Sequence, residues 1–212
     1  MFTVHSFVGS PYGRTVLATL IEKNEPYRHM ALRPGGHRQP EHLARHPFGR
    51  VPVIDHDGFE LYETQAIVRY VDRVLPAPAL TPSDPRAAAR MDQVMNATDW
   101  YLFRNVGVPV IFHRVVAPRL GFPANEEVVA AGLPEARNVV AAMDTLVGDA
   151  PFAAGDSFSL ADLMLFPHVD MMTDCAEGRE MLAGTRLAAW HARVASRPSF
   201  QRTSWDALME AA

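Results

Sequence analysis

The stretch VPVIDHDGFELYETQAIVRYVDRVL, residues 51–75, decides the architecture of the first part of the chain. Two short apolar runs, VPVI and FELY, are split by Asp57 and Gly58, a pair whose tolerance of positive φ makes it the strongest short-range hairpin signal. The period then changes: Ile67, Val68, Val71 and Leu75 recur at the three-to-four spacing of one helical face. Upstream, RPGGHRQPEHLARHPFGR, residues 33–50, carries prolines and adjacent glycines before a short helical stretch. Tyr27 to Leu32 reads as a strand. Before it, Val16, Leu17, Leu20 and Ile21 mark a helix from about Gly13 to Lys23, ended by Asn24. Residues 2–8, rich in Phe, Val and Thr, read as a strand that stops at Gly9, Ser10 and Pro11. Right-handed crossover makes the first two strands a parallel pair. The first unit is therefore strand, helix, strand, short helix, hairpin, helix: a mixed four-stranded sheet with helices.

Pro76, Pro78, Pro82 and Pro85 punctuate PAPALTPSDP, which neither continues a helix nor pairs in a sheet, and a domain boundary falls there. Beyond it strand signals vanish. ARMDQVMNATDWYLF, EVVAAGLPEARNVVAAMDTLV, SLADLMLFPHVDMM, REMLAGTRLAAWHARVA and SFQRTSWDALM each carry helical spacing, so the second unit reads as all-α. Ser159 followed by Asp162, with Phe158 before and Leu163 after, has the form of a capping box with a hydrophobic staple. Asp162 stands where Glu or Gln is usual and is a shorter arm for the same task.

Composition narrows the function. Hydrophobic residues make up 48% of the 212 and charged residues 21%, enough apolar surface for two packed units. The formal net charge is -4 and the arginines are scattered, so no basic field attracts a phosphate backbone and no nucleic-acid partner is expected. Cys175 is the single cysteine, which excludes an intrachain disulfide and a cysteine-based metal site. The nine histidines show no HExxH or other ligand spacing, and no metal is expected. Apolar stretches are broken by charges short of the ~18 residues a membrane span needs. The opening FTVHSFVG reads as a strand rather than a leader, and a cytoplasmic protein with no membrane partner is the expectation.

GHRQPEHLARHPFGRVPVI followed by ELYETQAIVRYV, and FSLADLMLFP further on, resemble the cytosolic glutathione transferase family, especially the phi class of plants and its bacterial relatives. The resemblance spans nearly the whole chain. It implies an α/β thioredoxin-like N-terminal domain (βαβ-α-ββα) over about residues 1–77. The all-α C-terminal domain, over about 84–212, would contribute the electrophile pocket, and the assembly would be a homodimer. Glutathione would be the co-substrate, without a metal, and a small hydrophobic electrophile the second substrate. The reaction would be conjugation, or a related glutathione-dependent peroxidase or isomerase reaction. A non-catalytic glutathione-binding, ligand-binding or protein-interaction module with the same fold is the alternative.

The chemistry of individual positions stands beside that resemblance. A thiol attacks as its thiolate, so the site must favour the anion. Ser10, between the first strand and the first helix, offers a hydroxyl hydrogen bond to a sulfur anion near the positive end of that helix; as a plain cap it would serve the helix alone. Tyr12 is the competing hydroxyl, or a wall of the electrophile pocket. The resemblance makes the bond between Val51 and Pro52 cis, turning the Val51 amide and carbonyl toward the cysteinyl part of the tripeptide, whereas a trans proline opening a strand is the ordinary case. Glu63 would accept the substrate's ammonium, and Thr64 with the first amides of its helix would receive a carboxylate; ordinary helix-start chemistry uses the same residue types. His37 and Arg38 match the family's basic pair for the glycyl carboxylate. Arg50 stands where the phi pattern more often has glutamine or lysine, and Gln39 is adjacent without an assigned contact. For the electrophile pocket the candidates are Tyr12, Phe112 and His113, with Met171 or Met172 from a later helix. Cys175, far in sequence from the first strand-helix junction, reads as a buried free cysteine.

Overall fold

The computed structural model describes residues 1–211. It divides into two compact units: Met1–Thr81 with the segment from Ser196 onward, and Pro82–Ala195. In the first unit the order is β1 (Phe2–Ser6), α1 (Pro11–Glu22), β2 (Tyr27–Ala31), a 3-10 turn at Gly36–Arg38, α2 (Pro40–Arg45), β3 (Val53–His56), β4 (Phe59–Tyr62) and α3 (Thr64–Val74). The sheet order is β2-β1-β3-β4, with β1 parallel to β2 and antiparallel to β3, and β3 antiparallel to β4. This is the mixed four-stranded sheet that the sequence predicts. Asp57 and Gly58 both take positive φ, 54° and 91°, as a tight hairpin turn requires.

α1 begins two residues before the first residue suggested by its apolar spacing. Ser10 caps it and Pro11, whose fixed φ suits a first helical position, opens it. Val16, Leu17 and Leu20 of α1 and Ile67, Val68 and Val71 of α3 are fully buried, and the two helices pack on each other. Their far ends are tied by Lys23. Its buried ammonium meets Asp72 Oδ1 at 2.6 Å and donates to the carbonyls of Leu75 at 2.9 Å and Pro78 at 2.6 Å. Burial opposes ionisation of Asp72, but hydrogen bonds from Lys23, Thr81 and the Leu80 amide outweigh it and hold the carboxyl below its ordinary value. The chain leaving α3 is thereby fixed to the end of α1.

The C-terminal segment adds α10 (Pro198–Gln201) and α11 (Trp205–Glu210), and α10 packs on α1. The helical spacing of SFQRTSWDALM is thus two short helices grouped with the first unit.

The second unit is helical: α4 (Pro85–Ala97), a wide π-type helix at Thr98–Val116, α5 (Ala117–Arg119), α6 (Glu126–Val147), α7 (Leu160–Met172), α8 (Ala176–Leu182) and α9 (Arg186–Val194). Pro109 lies inside the π-helix, where it has no N–H to donate and its ring crowds the preceding turn, a reason for the wider winding. Gly132 of α6 lies close to it, since a Cβ there would stand 2.6 Å from Pro109 Cβ. REMLAGTRLAAWHARVA, continuous in spacing, is broken in fact. Gly184 takes φ 73° and Thr185 caps α9 anew.

α7 is buried on all sides except at Asp170, as befits a central helix apolar all round. Asp162 secures its start. The carboxylate accepts from the amides of Ala153 and Ser159 at 2.8 and 2.9 Å, from Ser159 Oγ at 3.3 Å and from Trp190 Nε1 at 2.8 Å. The capping box is present with the shorter aspartate arm. Burial pushes the Asp162 carboxyl up, and these donors pull against it.

Two expectations follow from these contacts. Asp162→Ala strands three buried N–H donors, each costing ~1–3 kcal/mol, so urea denaturation is expected to find the fold weaker by about 3 kcal/mol or more. A wild-type urea midpoint in that variant would contradict the network's role. In the first unit, burial lowers the pKa of His5, His29 and His46, so the unfolded chain binds more protons in mild acid. Stability is then fully present above the ordinary imidazole value and declines as pH falls through the lowered ones. Measured by urea at a series of pH values between about 5 and 7, the slope is expected to shrink in His29→Gln.

Candidate active site

Sheet register brings the candidate positions of the first unit to one edge. β1 ends at Ser6, opposite Ala31 at the end of β2, and the Leu32 amide still donates to the Ser6 carbonyl at 2.9 Å. β3 begins at Val53, opposite His5 of β1 and Tyr62 at the end of β4. The turn after β1, the chain leaving β2, the two residues before β3 and the start of α3 therefore leave the sheet from the same end. That end holds Ser10, His37, Arg38, Val51, Pro52, Glu63 and Thr64. Carboxyl ends of strands in open α/β sheets are where ligands commonly sit.

Ser10 is the N-cap of α1, with φ -71° and ψ 120°. Its Oγ accepts the Gly13 amide at 3.2 Å, and its own amide donates to the Phe7 carbonyl at 3.2 Å. The hydroxyl is thus engaged as an acceptor, and its proton remains to be donated elsewhere. Capping and donation are compatible in one side chain. Tyr12 follows in the first turn of α1, partly exposed. Gly13 is set by contact: a Cβ there would stand 2.6 Å from Ser6 Oγ, which is itself 2.9 Å from His29 Nε2.

His37 and Arg38 lie in the 3-10 turn, His37 partly exposed and Arg38 exposed. The His37 ring meets Phe7 edge-on at 5.1 Å, and its Nδ1 is buried without a hydrogen-bond partner. Burial, then the charges of Arg38 and His42, hold its pKa below the ordinary value. Near neutral pH the pair therefore carries its fixed charge on Arg38.

Arg50 is exposed, but its carbonyl accepts a 2.7 Å hydrogen bond from Nε2 of His42, a residue only 3% exposed. The bond between Val51 and Pro52 is cis. His42 went unassigned in the sequence; it lies in α2, and His46 follows as the extended residue that ends that helix. His46 stacks on Tyr62 at 4.5 Å, which ties the 46–50 segment to the end of β4.

Glu63 has φ 72° and ψ 111°, a left-handed backbone in a residue other than glycine, and its side chain makes no capping bond to α3. The first amides of α3 therefore take no bond from the side chain of their cap residue, and buried Thr64 opens the helix. Such a helix start is suited to an anion.

The second unit holds the remaining candidates. Phe112 is 43% exposed and meets the His113 ring edge-on at 5.2 Å. His113 Nδ1 accepts the Asn125 amide at 3.3 Å, so that nitrogen is in use. Met171 and Met172 are buried in α7. Cys175 is a buried free cysteine, and burial pushes its thiol pKa up. Among the described residues no group of three or more His, Cys, Asp or Glu side chains is placed to hold a metal ion, and no helix is long and apolar enough to cross a membrane.

Residues 4–79 match the model for the glutathione S-transferase N-terminal domain, and residues 126–193 the model for its C-terminal domain. The chain is 30% identical over 205 residues to Glutathione S-transferase 4 of Zea mays, covering 95% of this chain and 91% of that one. Among solved structures, glutathione transferase F2 from Populus trichocarpa superposes with a TM-score of 0.87 at 24% identity over the full length of both chains. A glutathione S-transferase from Rhodospirillum rubrum F11 gives a TM-score of 0.81 at 25% identity, over 96% of this chain and 91% of that one. With both halves matched in order and a relative 30% identical across 95% of this chain, the chain belongs to the glutathione S-transferase family.

Proposed function

We propose that this protein is a glutathione transferase that joins glutathione to small hydrophobic electrophiles, with Ser10 holding the reacting sulfur as its thiolate. The observation that carries this reading is the Ser10 hydroxyl at the start of α1, engaged as acceptor by the Gly13 amide and left with a proton to donate. Relatives that are named transferases favour turnover over a purely binding role.

The roles follow from chemistry at the sheet edge. The thiol of glutathione loses its proton to solvent, and the Ser10 hydroxyl together with the positive end of α1 stabilises the anion. The thiolate donates an electron pair to an electrophilic carbon. A C–S bond forms, and either a leaving group departs with its bonding pair or an unsaturated acceptor takes up a proton. Val51 offers its backbone amide and carbonyl to the cysteinyl residue beside Pro52. Glu63 pairs with the γ-glutamyl ammonium, while Thr64 and the first amides of α3 receive its carboxylate. His37 and Arg38 serve the glycyl carboxylate, with Arg38 as the charged member, and Arg50 lies near the tripeptide backbone. No metal is required for these steps.

For the electrophile, Tyr12 offers a partly exposed ring and Phe112 an exposed apolar one; His113 keeps Nε2 available, since Nδ1 is occupied. The assembly is proposed to be a homodimer, the location cytoplasmic and the physiological role detoxification. In this reading residues 1–77 form the glutathione-binding domain and 84–212 the helical domain, of which the stretch from Ser196 onward packs with the first unit.

Ser10→Ala is expected to keep glutathione affinity within about threefold while lowering kcat about 100-fold at neutral pH, because only the anion depends on the hydroxyl. Titration of the bound thiol by ultraviolet absorbance checks this, and an unshifted titration with an unimpaired rate would remove Ser10 from the mechanism. Glu63→Gln tests the other end. It is expected to raise KM for glutathione about tenfold with a smaller change in kcat, as loss of a charge-assisted contact made equally before and during reaction; an unchanged KM would contradict the assignment.

A further inference from the structure

The C-terminal segment is fastened to α1 along its whole length. At the end of that helix Glu22 accepts from Arg197 Nε and Nη2 at 2.9 and 2.7 Å and from Ser199 Oγ at 2.5 Å. Midway, buried Arg14 reaches the Phe200 carbonyl at 3.5 Å, and Phe200 is itself 1% exposed. Thr203 Oγ1 donates to the Ser199 carbonyl at 2.7 Å, and Ser204 then caps α11 by accepting the Ala207 amide at 3.2 Å. The run ends at the start of α1. Trp205 lies flush against Gly9, so closely that a Cβ on Gly9 would stand 1.8 Å from Cζ3 and 2.1 Å from Cε3 of the indole.

Gly9 is the residue before Ser10 and takes φ 81°. It belongs to the turn closed by the Ser10 amide on the Phe7 carbonyl. A glycine in such a turn is the least restrained residue available, because no Cβ confines its dihedrals. A flat ring pressed on it supplies the missing restraint. The direction of the Ser10 hydroxyl is inherited from that turn, and a hydrogen bond weakens steeply when its angle falls off.

We propose that Trp205 is a positioning residue for the thiolate site: its indole clamps Gly9, and thereby fixes the direction in which Ser10 presents its hydroxyl to the sulfur. This rests on the reading of Ser10 given above. Trp205 itself donates nothing to the sulfur. Its effect belongs on the acidity of the bound thiol and on kcat, with little on the contacts that hold the ends of the tripeptide.

The test compares wild type, Ser10→Ala, Trp205→Phe and Trp205→Ala by ultraviolet titration of bound glutathione, by kcat and KM against pH, and by urea denaturation. Trp205→Ala is expected to raise the thiol pKa by about one unit, leaving about tenfold less thiolate at a given pH below it, with KM for glutathione within about twofold. Trp205→Phe, which retains a flat ring, is expected to stay near wild type. A normal thiol titration in Trp205→Ala beside a shifted one in Ser10→Ala would overturn the clamp alone. An unshifted Ser10→Ala would overturn the Ser10 reading and the clamp with it. If Trp205→Ala fails to fold, Trp205→Leu keeps the apolar volume without the ring, and the same titration decides. The contact itself is read from Gly9→Ala, whose loss of kcat is expected to be several-fold smaller in the Trp205→Ala background than in wild type. Equal losses in the two backgrounds would overturn the clamp.

Discussion

The first turn of α1 lies directly against β1, and a glycine permits it. A Cβ on Gly13 would stand 2.6 Å from Ser6 Oγ, and Ser6 has no room to withdraw, being fully buried and bonded to His29 on the neighbouring strand. Any larger residue at 13 must lift the helix start from the sheet. α1 also carries α3 and α10 on its other sides, so its seating on β1 orders every layer of the first unit. The same contact fixes where Ser10 stands relative to the strand ends. Packing and site geometry are set by one close approach.

The second helix at that edge is built differently. α4, α6, α7 and α9 each begin with a side chain that accepts a first-turn amide, from Asp84, Asn125, Ser159 and Thr185. α3 has no such cap, and Glu63 before it sits at φ 72°. A missing cap forgoes ~1 kcal/mol, and a left-handed backbone in a residue with a Cβ costs about 1–3 kcal/mol more. Both departures fall on Glu63; α2, α8 and α10 also lack a side-chain cap, but their cap residues keep negative φ. The start of α3 thus sets helix amides that its cap side chain does not bond beside a carboxylate, a donor and acceptor set that matches an amino acid's two charged groups. The proposed γ-glutamyl end of glutathione is such a ligand.

Much of this was legible in the sequence because local signals and tertiary structure agree. Asp57 and Gly58 required the hairpin whatever surrounded it, and the Ser159 and Asp162 spacing declared its capping box. The end of α8 was hidden, since Leu182 and Leu187 continue an apolar spacing that the left-handed Gly184 interrupts. The π-winding of 98–116 had Pro109 as its only local sign. Site candidates matched by resemblance lay on strand ends that the register gathers together, but their supports did not announce themselves. His42 reads as an ordinary helix residue until its bond to the Arg50 carbonyl is seen, and nothing near Gly9 in the sequence points to Trp205. Contacts across 8 and across nearly 200 positions have no periodicity to betray them.

Charge around the sheet edge decides what kind of catalyst this geometry makes. A serine hydroxyl is too weak an acid to shed its proton near neutral pH and too weak a base to take one up, so in the proposed role Ser10 would contribute a hydrogen bond alone. Its oxygen already accepts the Gly13 amide, and that bond polarises the O–H toward stronger donation. His37, held neutral by burial and its cationic neighbours, adds no field that would compete with Arg38 for an anion. In the proposed role the helix end would act alongside the hydroxyl, the two stabilising the same charge by independent means. Removing one leaves the other. In the proposed reaction the site would lower one thiol's pKa by summing modest favourable contacts, and each of them would depend on α1 staying where Gly13 allows it to rest.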